Sequence, residues 1–226
     1  MKDTVSHVII YSHGFGARKT ARGLFTEISN ALPHAQSVMF DYDPFHEESN
    51  TITVKPLQEQ AFKLRKVLNA TRAEYPDATI DIVAHSQGCI VVGLLKPRDI
   101  RKIIMITPPD DMSEARVVEQ LGARKGVDID VTTKTHLART DGSTTVIHPE
   151  YWQSLSGIKP VKLYNNLARF TKLRIMVAKQ DDVLGEVTFE GIEPTISLVR
   201  LEGNHNFDDA EARKRLLYIL QKELAS

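Results

Sequence analysis

Cysteine is nearly absent from this sequence, since Cys89 is the only one among 226 residues. One thiol cannot form a disulfide within the chain, so a disulfide-stabilised fold is excluded. An excess of charge of either sign is lacking too, because 29 Lys and Arg residues balance 29 Asp and Glu residues. Without a net positive field to attract phosphates, no nucleic-acid partner is expected.

Long apolar runs are also missing. None approaches the roughly 20 residues that cross a bilayer, and residues 1–4 lead into the first apolar segment without a signal-peptide pattern. We therefore expect a cytoplasmic protein without stable membrane association, present as a monomer or homodimer. Hydrophobic residues make up 42% and charged residues 26% of the chain, and the length suits one domain with a small insertion.

The most informative segment is residues 84–88, Ala-His-Ser-Gln-Gly. An apolar run with strand character, residues 79–83, precedes it, and a second run that fits a helix, residues 89–95, follows it. A serine at such a strand-to-helix turn is typical of a nucleophile elbow, in which a strained backbone exposes the hydroxyl above the sheet. Ser86 is therefore the predicted nucleophile. The alternative is a serine that only caps the helix.

A glycine-rich turn, residues 13–16 (His-Gly-Phe-Gly), follows the first expected strand. In acyl-transfer enzymes a loop after an early strand donates one backbone N–H to an oxyanion hole, and the residue after the nucleophile donates the other. We assign these two amides to Phe15 and Gln87. The supporting residues of the loop are His13, Gly14 and Gly16. The alternative is an ordinary turn between a strand and a helix.

An acid and a histidine follow two later strands. Residues 173–178 form a strand candidate that ends close to Asp181 and Asp182, and residues 195–201 form another that ends shortly before His205. The chain order is thus serine, acid, histidine, which differs from the orders of chymotrypsin and subtilisin. A histidine beside a serine can act as its general base. Either aspartate could hold the imidazole.

Together these four motifs resemble the α/β-hydrolase superfamily, from residue 5 to about residue 220. The resemblance implies a catalytic triad of Ser86, Asp181 and His205. It favours Asp181 over Asp182 because the acid commonly stands three residues after the small residue that closes its strand, here Ala178. It implies no cofactor and no metal, and the acidic residues between 41 and 48 match no metal-ligand spacing.

The alternation of strands and helices predicts an α/β fold with a parallel sheet, a three-layer α/β/α sandwich. Because the His-Gly loop begins at residue 13, the two leading strands of larger superfamily members have no room, and we expect six parallel strands. Two prolines at 108–109 end the alternation. We therefore expect an α/β-hydrolase core in residues 1–109 and 171–226. Residues 110–170 are expected to form a cap insertion with an Asp-Gly hairpin turn.

Three local expectations can be compared directly with the structure. The periodicity predicts a helix over residues 18–32 and a strand over residues 37–42, and the polar residues 43–50 predict a loop.

Aromatic and aliphatic residues of the insertion are candidates to line a substrate pocket or, equally, to form ordinary core. They are Tyr151, Trp152 and Leu155.

The leading hypothesis is a serine hydrolase that cleaves a small carboxylic ester or thioester through an acyl-enzyme, so the expected partner is a small ester-type substrate. Three enzyme alternatives use the same triad: an acyltransferase, a peptidase and a lipase. A non-catalytic binding module with this fold is the alternative from another class. His85 and Cys89 receive no chemical role.

Overall fold

The computed structural model describes residues 5–123, 127, 129–139 and 141–225. The strands are β1 (His7–Ser12), β2 (Gln36–Met39), β3 (Phe45–His46), β4 (Thr51–Val54), β5 (Thr79–His85), β6 (Lys102–Ile106), β7 (Thr135–Ala138), β8 (Thr144–Ile147), β9 (Lys172–Ala178) and β10 (Ser197–Leu201). The helices are α1 (Leu24–Ala31), α2 (Leu57–Glu74), α3 (Gln87–Leu95), α4 (Glu114–Gly122), α5 (Pro149–Gln153), α6 (Pro160–Ala168) and α7 (Ala210–Leu224).

The main sheet has six strands in the order β10-β9-β6-β5-β1-β2, and every neighbouring pair is parallel. This confirms the predicted six-stranded parallel sheet. The central strands are buried on both faces, as their continuous apolar sequences predict. Since parallel strands share one carboxyl edge, the loops after β1, β5, β9 and β10 all emerge at that edge.

Helices cover both faces of this sheet. Along β1, Val8 and Ile10 pack in a cluster with α2 and α3, whereas Ile9 and Tyr11 pack in a second cluster with α1 and α7. The alternation follows from the two-residue repeat of side chains along a strand. The result is the predicted three-layer sandwich.

A second sheet lies beside the first, with the order β3-β4-β8-β7. Strands β7 and β8 pair antiparallel, which confirms the predicted hairpin, although Thr140 of its turn lies outside the described residues. Strand β4 pairs parallel with β8, so the hairpin of the expected insertion is hydrogen-bonded to a segment that precedes α2. The division into a core and a cap stays a prediction.

Three local expectations were wrong in part. The helix expected over 18–32 is α-helical only in α1, because Ala21 and Arg22 in a preceding 3₁₀ turn have φ of 46° and 55° and interrupt it. The strand expected over 37–42 covers residues 36–39 instead. Within the expected loop 43–50, Phe45–His46 pairs with β4, a contact that local polarity does not reveal. Within the described part of the chain, no helix is long and apolar enough to cross a membrane.

Candidate active site

Ser86 occupies the sharp turn between β5 and α3. Its φ of 53° and ψ of −131° lie outside the regions that ordinary residues adopt, and its side chain makes no capping hydrogen bond. The reading of Ser86 as a helix cap is therefore wrong. A Cβ atom at Gly88 would overlap the carbonyl oxygen of Ser12 and lie 2.6 Å from that of His13. Only glycine fits there, which explains the small residue after the serine.

Ser86, His205 and Asp181 form one chain of hydrogen bonds. His205 Nε2 lies 2.9 Å from Ser86 Oγ, and His205 Nδ1 lies 2.8 Å and 3.0 Å from the two carboxylate oxygens of Asp181. A carboxylate can only accept, so Nδ1 carries the proton and the lone pair of Nε2 faces the serine hydroxyl. The three residues predicted from the sequence are thus brought together.

Asp181 is fixed by more than the imidazole. One of its carboxylate oxygens also accepts the backbone N–H groups of Val183, at 3.0 Å, and Leu184, at 2.7 Å. Burial by itself would raise the pKa of this carboxyl, but the hydrogen bonds from His205 and from these two amides outweigh burial and lower the pKa below its usual value. Asp181 is therefore ionised at neutral pH.

Asp182 has a different contact. Its carboxylate accepts the backbone N–H of His205 at 3.1 Å and does not meet the imidazole ring. The two neighbouring aspartates therefore hold the same histidine in two ways, one through the ring and one through the main chain.

His85 is a residue that sequence reasoning left without a role. Its Nε2–H donates to the carbonyl oxygen of His205 at 3.1 Å, and the Thr107 hydroxyl donates to the same oxygen at 3.2 Å. Burial, and then repulsion from His205, lower the pKa of His85 to about 3, so this ring stays neutral. The residue before the serine thus ties the elbow to the loop that carries His205. No sequence signal distinguished it, because the contact joins two distant loops.

His13 fixes the loop that carries Phe15. The backbone N–H of Tyr42 donates to His13 Nε2 at 3.0 Å, so the ring proton must be on Nδ1, which donates to the carbonyl oxygen of Gly14 at 2.9 Å. Burial lowers the pKa of His13 and keeps the ring in this neutral form. The N–H of Phe15 belongs to the same peptide plane as the Gly14 carbonyl and points the opposite way. The Ala17 N–H donates to the same Gly14 oxygen at 3.3 Å, so His13 and Ala17 together set the direction of the Phe15 amide.

The remaining loop glycines leave room for neighbouring side chains. A Cβ atom at Gly14 would lie 2.9 Å from the Cβ atom of Ser86, and Gly16 has a φ of 54°. The loop can therefore approach the serine closely. Phe15 and Gln87 both line the pocket that contains Ser86. As the first residue of α3, Gln87 has one of the amides that a helix leaves without an intrahelical acceptor.

The side chain of Gln87 belongs to a buried polar network. The Tyr151 hydroxyl donates to Gln87 Oε1 at 2.6 Å, and Gln87 Nε2 donates to Gln60 Oε1 at 3.3 Å. Gln60 Nε2 then donates to the carbonyl oxygen of Lys55 at 2.7 Å. The ring of Tyr151 also contacts Phe15, with centroids 5.3 Å apart. Tyr151 thus touches both residues that were assigned to the oxyanion hole.

The pocket above Ser86 has a free volume of about 120 Å³. Of the three candidates from the insertion, Tyr151 lines the pocket, whereas Trp152 and Leu155 are buried core residues away from its lining.

Cys89 is buried in the first turn of α3, and burial raises the pKa of its thiol. Among the described residues, no group of three His, Cys, Asp or Glu side chains is arranged to bind a metal ion.

Comparison with known proteins found similarity in structure rather than in sequence. No protein-family model and no curated protein matches the chain. Est1E from Butyrivibrio proteoclasticus, with ferulic acid bound, is similar with a TM-score of 0.75 at 15% identity over 99% of this chain and 90% of Est1E. The esterase domain of a Rhodothermus marinus protein is similar with a TM-score of 0.67 at 16% identity, over 98% of this chain and 87% of that domain's chain.

An α/β serine hydrolase homologue from Coxiella burnetii is similar with a TM-score of 0.62 at 14% identity, over 97% of this chain and 85% of that one. These alignments cover nearly the whole chain. The parallel sheet and the strained turn at Ser86 are also typical of this fold. The protein therefore has the fold of the α/β-hydrolase superfamily.

Proposed function

We propose that the protein is a serine hydrolase that cleaves a small carboxylic ester or thioester through an acyl-enzyme. The observation that carries this proposal is the hydrogen-bonded chain from Ser86 Oγ through His205 to Asp181. A serine hydroxyl is a weak nucleophile by itself and needs an adjacent base, which must in turn be oriented by a third group. Here His205 is the candidate base and Asp181 the candidate orienting group, and each lies within hydrogen-bond distance of the next member of the chain.

In the first half of the reaction, Ser86 Oγ attacks the substrate carbonyl carbon while His205 Nε2 takes its proton. The carbonyl oxygen becomes an oxyanion, which the backbone N–H groups of Phe15 and Gln87 stabilise. The intermediate collapses, the bond to the alcohol or thiol breaks, and His205 returns the proton to the leaving group. The acyl group remains on Ser86.

In the second half, water takes the place of the alcohol. His205 accepts a proton from the water as it attacks the acyl carbon. It then gives this proton to Ser86 Oγ as the bond between Oγ and the acyl carbon breaks, which releases the acid and restores the free serine. Asp181 stabilises the imidazolium that forms in both halves and keeps the ring in the tautomer with the proton on Nδ1. The charge that Asp181 needs for this role is favoured by its lowered pKa.

The substrate class is narrowed by the size of the pocket. Its free volume of about 120 Å³ lies below the range of about 300–1,000 Å³ that is common for drug-sized ligands. We therefore propose that the substrate has a short acyl group. Ferulic acid, the compound bound to Est1E, is a carboxylic acid, which supports a search among carboxylic esters before other classes.

The test is intact-mass analysis after treatment with a fluorophosphonate, which forms a stable adduct with an activated serine. We expect one adduct on the parent protein, none on Ser86→Ala and slow labelling of His205→Ala. Ser156→Ala is the matched control, because Ser156 is exposed and lies outside the pocket, and it should label like the parent. A folded parent that gains no adduct would favour a non-catalytic binding module.

A labelled serine would then be followed by a substrate screen. Esters and thioesters with short acyl chains are compared with amides and with long-chain lipid esters, each with and without an added alcohol acceptor. Faster turnover of short esters in water supports the proposed hydrolase. Preference for amides, for lipids or for the alcohol acceptor would replace it with a peptidase, a lipase or an acyltransferase respectively.

A further inference from the structure

Two arginines, Arg22 and Arg139, line the pocket that contains Ser86. Among the described residues that line this pocket, none is an Asp or a Glu. The only other titratable side chains in the described lining are two histidines and Tyr151, and the pKa of Tyr151 is raised far above neutrality by burial. The charged groups that a substrate meets there are therefore cationic.

The position of Arg139 is set by the hairpin that follows β7. Its backbone N–H donates to the carbonyl oxygen of Ser143 at 2.9 Å, and its Nη1 donates to Thr145 Oγ1 at 3.1 Å. A Cβ atom at Gly16 would lie 3.0 Å from the same nitrogen. The guanidinium thus lies against the loop that supplies the Phe15 amide, close to where a substrate carbonyl would bind.

Arg22 reaches the pocket from another part of the chain. It lies in the 3₁₀ turn before α1, where Ala21 and Arg22 both have positive φ. Such a conformation is unfavourable for a non-glycine residue. Ala21 and Arg22 both line the pocket, so the strained turn brings the second cation to the site.

One carboxylate partly balances these charges. The pKa of Asp141 is lowered by hydrogen bonds from Ser143, and further by the positive charges of Arg139 and Arg22, so Asp141 lies near both arginines. However, its Oδ1 accepts both the N–H and the hydroxyl of Ser143, and Asp141 does not line the pocket. Among the described residues, Arg139 and Arg22 thus line the pocket while the carboxylate of Asp141 lies outside its lining.

From this arrangement we infer that the substrate carries, besides its ester, an ionised acid group that binds Arg139 and Arg22. This group is a carboxylate or a phosphate-type group. The inference rests on the proposed ester hydrolysis and specifies its substrate. A guanidinium offers paired N–H donors that match both anions, which makes arginine suited to this role. The acid group binds while Ser86 attacks the ester carbonyl elsewhere in the same molecule.

The experiment compares three substrates with one leaving group: 4-nitrophenyl pentanoate, the mono-4-nitrophenyl ester of glutaric acid and 4-nitrophenyl 3-phosphonopropanoate. We expect kcat/KM for at least one acidic ester to exceed that for the pentanoate by about tenfold or more, the factor that one hydrogen bond to a charged group contributes. The better of the two acidic esters identifies the anion. Arg139→Gln and Arg22→Gln should each reduce this ratio, and Arg139→Lys should reduce it less than Arg139→Gln.

Arg65→Gln is the matched control, because Arg65 is exposed on α2 away from the pocket, and it should leave the ratio unchanged. Equal hydrolysis of all three esters by the parent, or a ratio that does not depend on Arg139, would overturn the anion site and leave the hydrolase in place.

A second measurement separates the two proposals. Calorimetric titration of glutarate into Ser86→Ala and into Ser86→Ala with Arg139→Gln measures anion binding without catalysis. If no ester is hydrolysed but glutarate binds in an Arg139-dependent manner, the hydrolase is wrong and the anion site stands. If neither glutarate nor 3-phosphonopropanoate, titrated in the same way, binds in an Arg139-dependent manner, the anion site is wrong.

Discussion

The neutral ring of His13 makes two contacts that can be separated by substitution. Its Nδ1 donates to Gly14, which directs the Phe15 amide, and its Nε2 accepts from Tyr42. Asparagine places a side-chain amide near the position of Nδ1, and glutamine places one near the position of Nε2. His13→Asn therefore keeps a donor for Gly14, whereas His13→Gln keeps an acceptor for Tyr42.

The two variants should differ more in activity than in stability. His13→Asn leaves the buried N–H of Tyr42 without its acceptor, which costs about 1–3 kcal/mol of unfolding free energy. Only His13→Gln removes a hydrogen bond from the Gly14 peptide, whose carbonyl then keeps only the longer bond from the Ala17 N–H, at 3.3 Å. Loss of one oxyanion donor lowers kcat by about 10²–10³-fold, so we expect a fall approaching 10²-fold in His13→Gln and less than tenfold in His13→Asn.

The assay is steady-state hydrolysis of a short 4-nitrophenyl ester beside denaturant unfolding of each variant. KM should change less than kcat, because the oxyanion exists only after attack has begun. Burial lowers the pKa of His13 and keeps the ring of the parent neutral, so the fall in kcat of each variant relative to the parent should be the same at pH 6 and pH 8. Equal falls in kcat, or a larger fall in His13→Asn, would refute the argument that His13 acts through Gly14.

Three further predictions concern single residues. Asp181→Asn should lower kcat by about 10³–10⁴-fold and Asp182→Asn by less than tenfold, and the opposite order in steady-state assays would assign the acid to Asp182. Burial raises the pKa of the Asp43 carboxyl from 3.8 to about 7. The native state therefore binds the carboxyl proton more tightly than the unfolded state does, and the free energy of unfolding falls as pH rises from about 4 to 7. Asp43→Asn should therefore raise the free energy of unfolding at pH 8, by at most about 4 kcal/mol, and equal denaturation midpoints of parent and variant at pH 8 would contradict the raised pKa. Gly88→Ala places a Cβ atom against the carbonyl oxygen of Ser12 and should abolish fluorophosphonate labelling, whereas labelling at the parental rate would show that the turn tolerates a side chain.

The sheet and the central site residues could be predicted from the sequence because their signals are local. Continuous apolar runs identify buried parallel strands, and the turn at residues 84–88 restricts its own side chains through close backbone contact. Because these strands are parallel, the carboxyl ends of β5, β9 and β10 lie at one edge of the sheet. Each of these inferences needs only a few neighbouring residues.

The contacts that were missed join distant segments. Thr51–Val54 pairs with Thr144–Ile147, and neither strand contains information about its partner. The same holds for the hydrogen bond from His85 to the carbonyl oxygen of His205 and for the bond from Tyr151 to Gln87. Such contacts depend on side-chain packing in three dimensions, which periodicity does not encode.

The pairing of β4 with β8 also bears on the order in which the molecule folds. Next to this pair, the Asn50 side chain donates to the carbonyl oxygen of Gly142, 92 residues later in the chain. Closing so long a loop costs conformational entropy before any contact compensates for it, so we expect β4 and β8 to pair late. During synthesis, α2 and the elbow leave the ribosome before the hairpin that carries Arg139. The residues of the serine turn are therefore synthesised before the hairpin that forms one wall of their pocket.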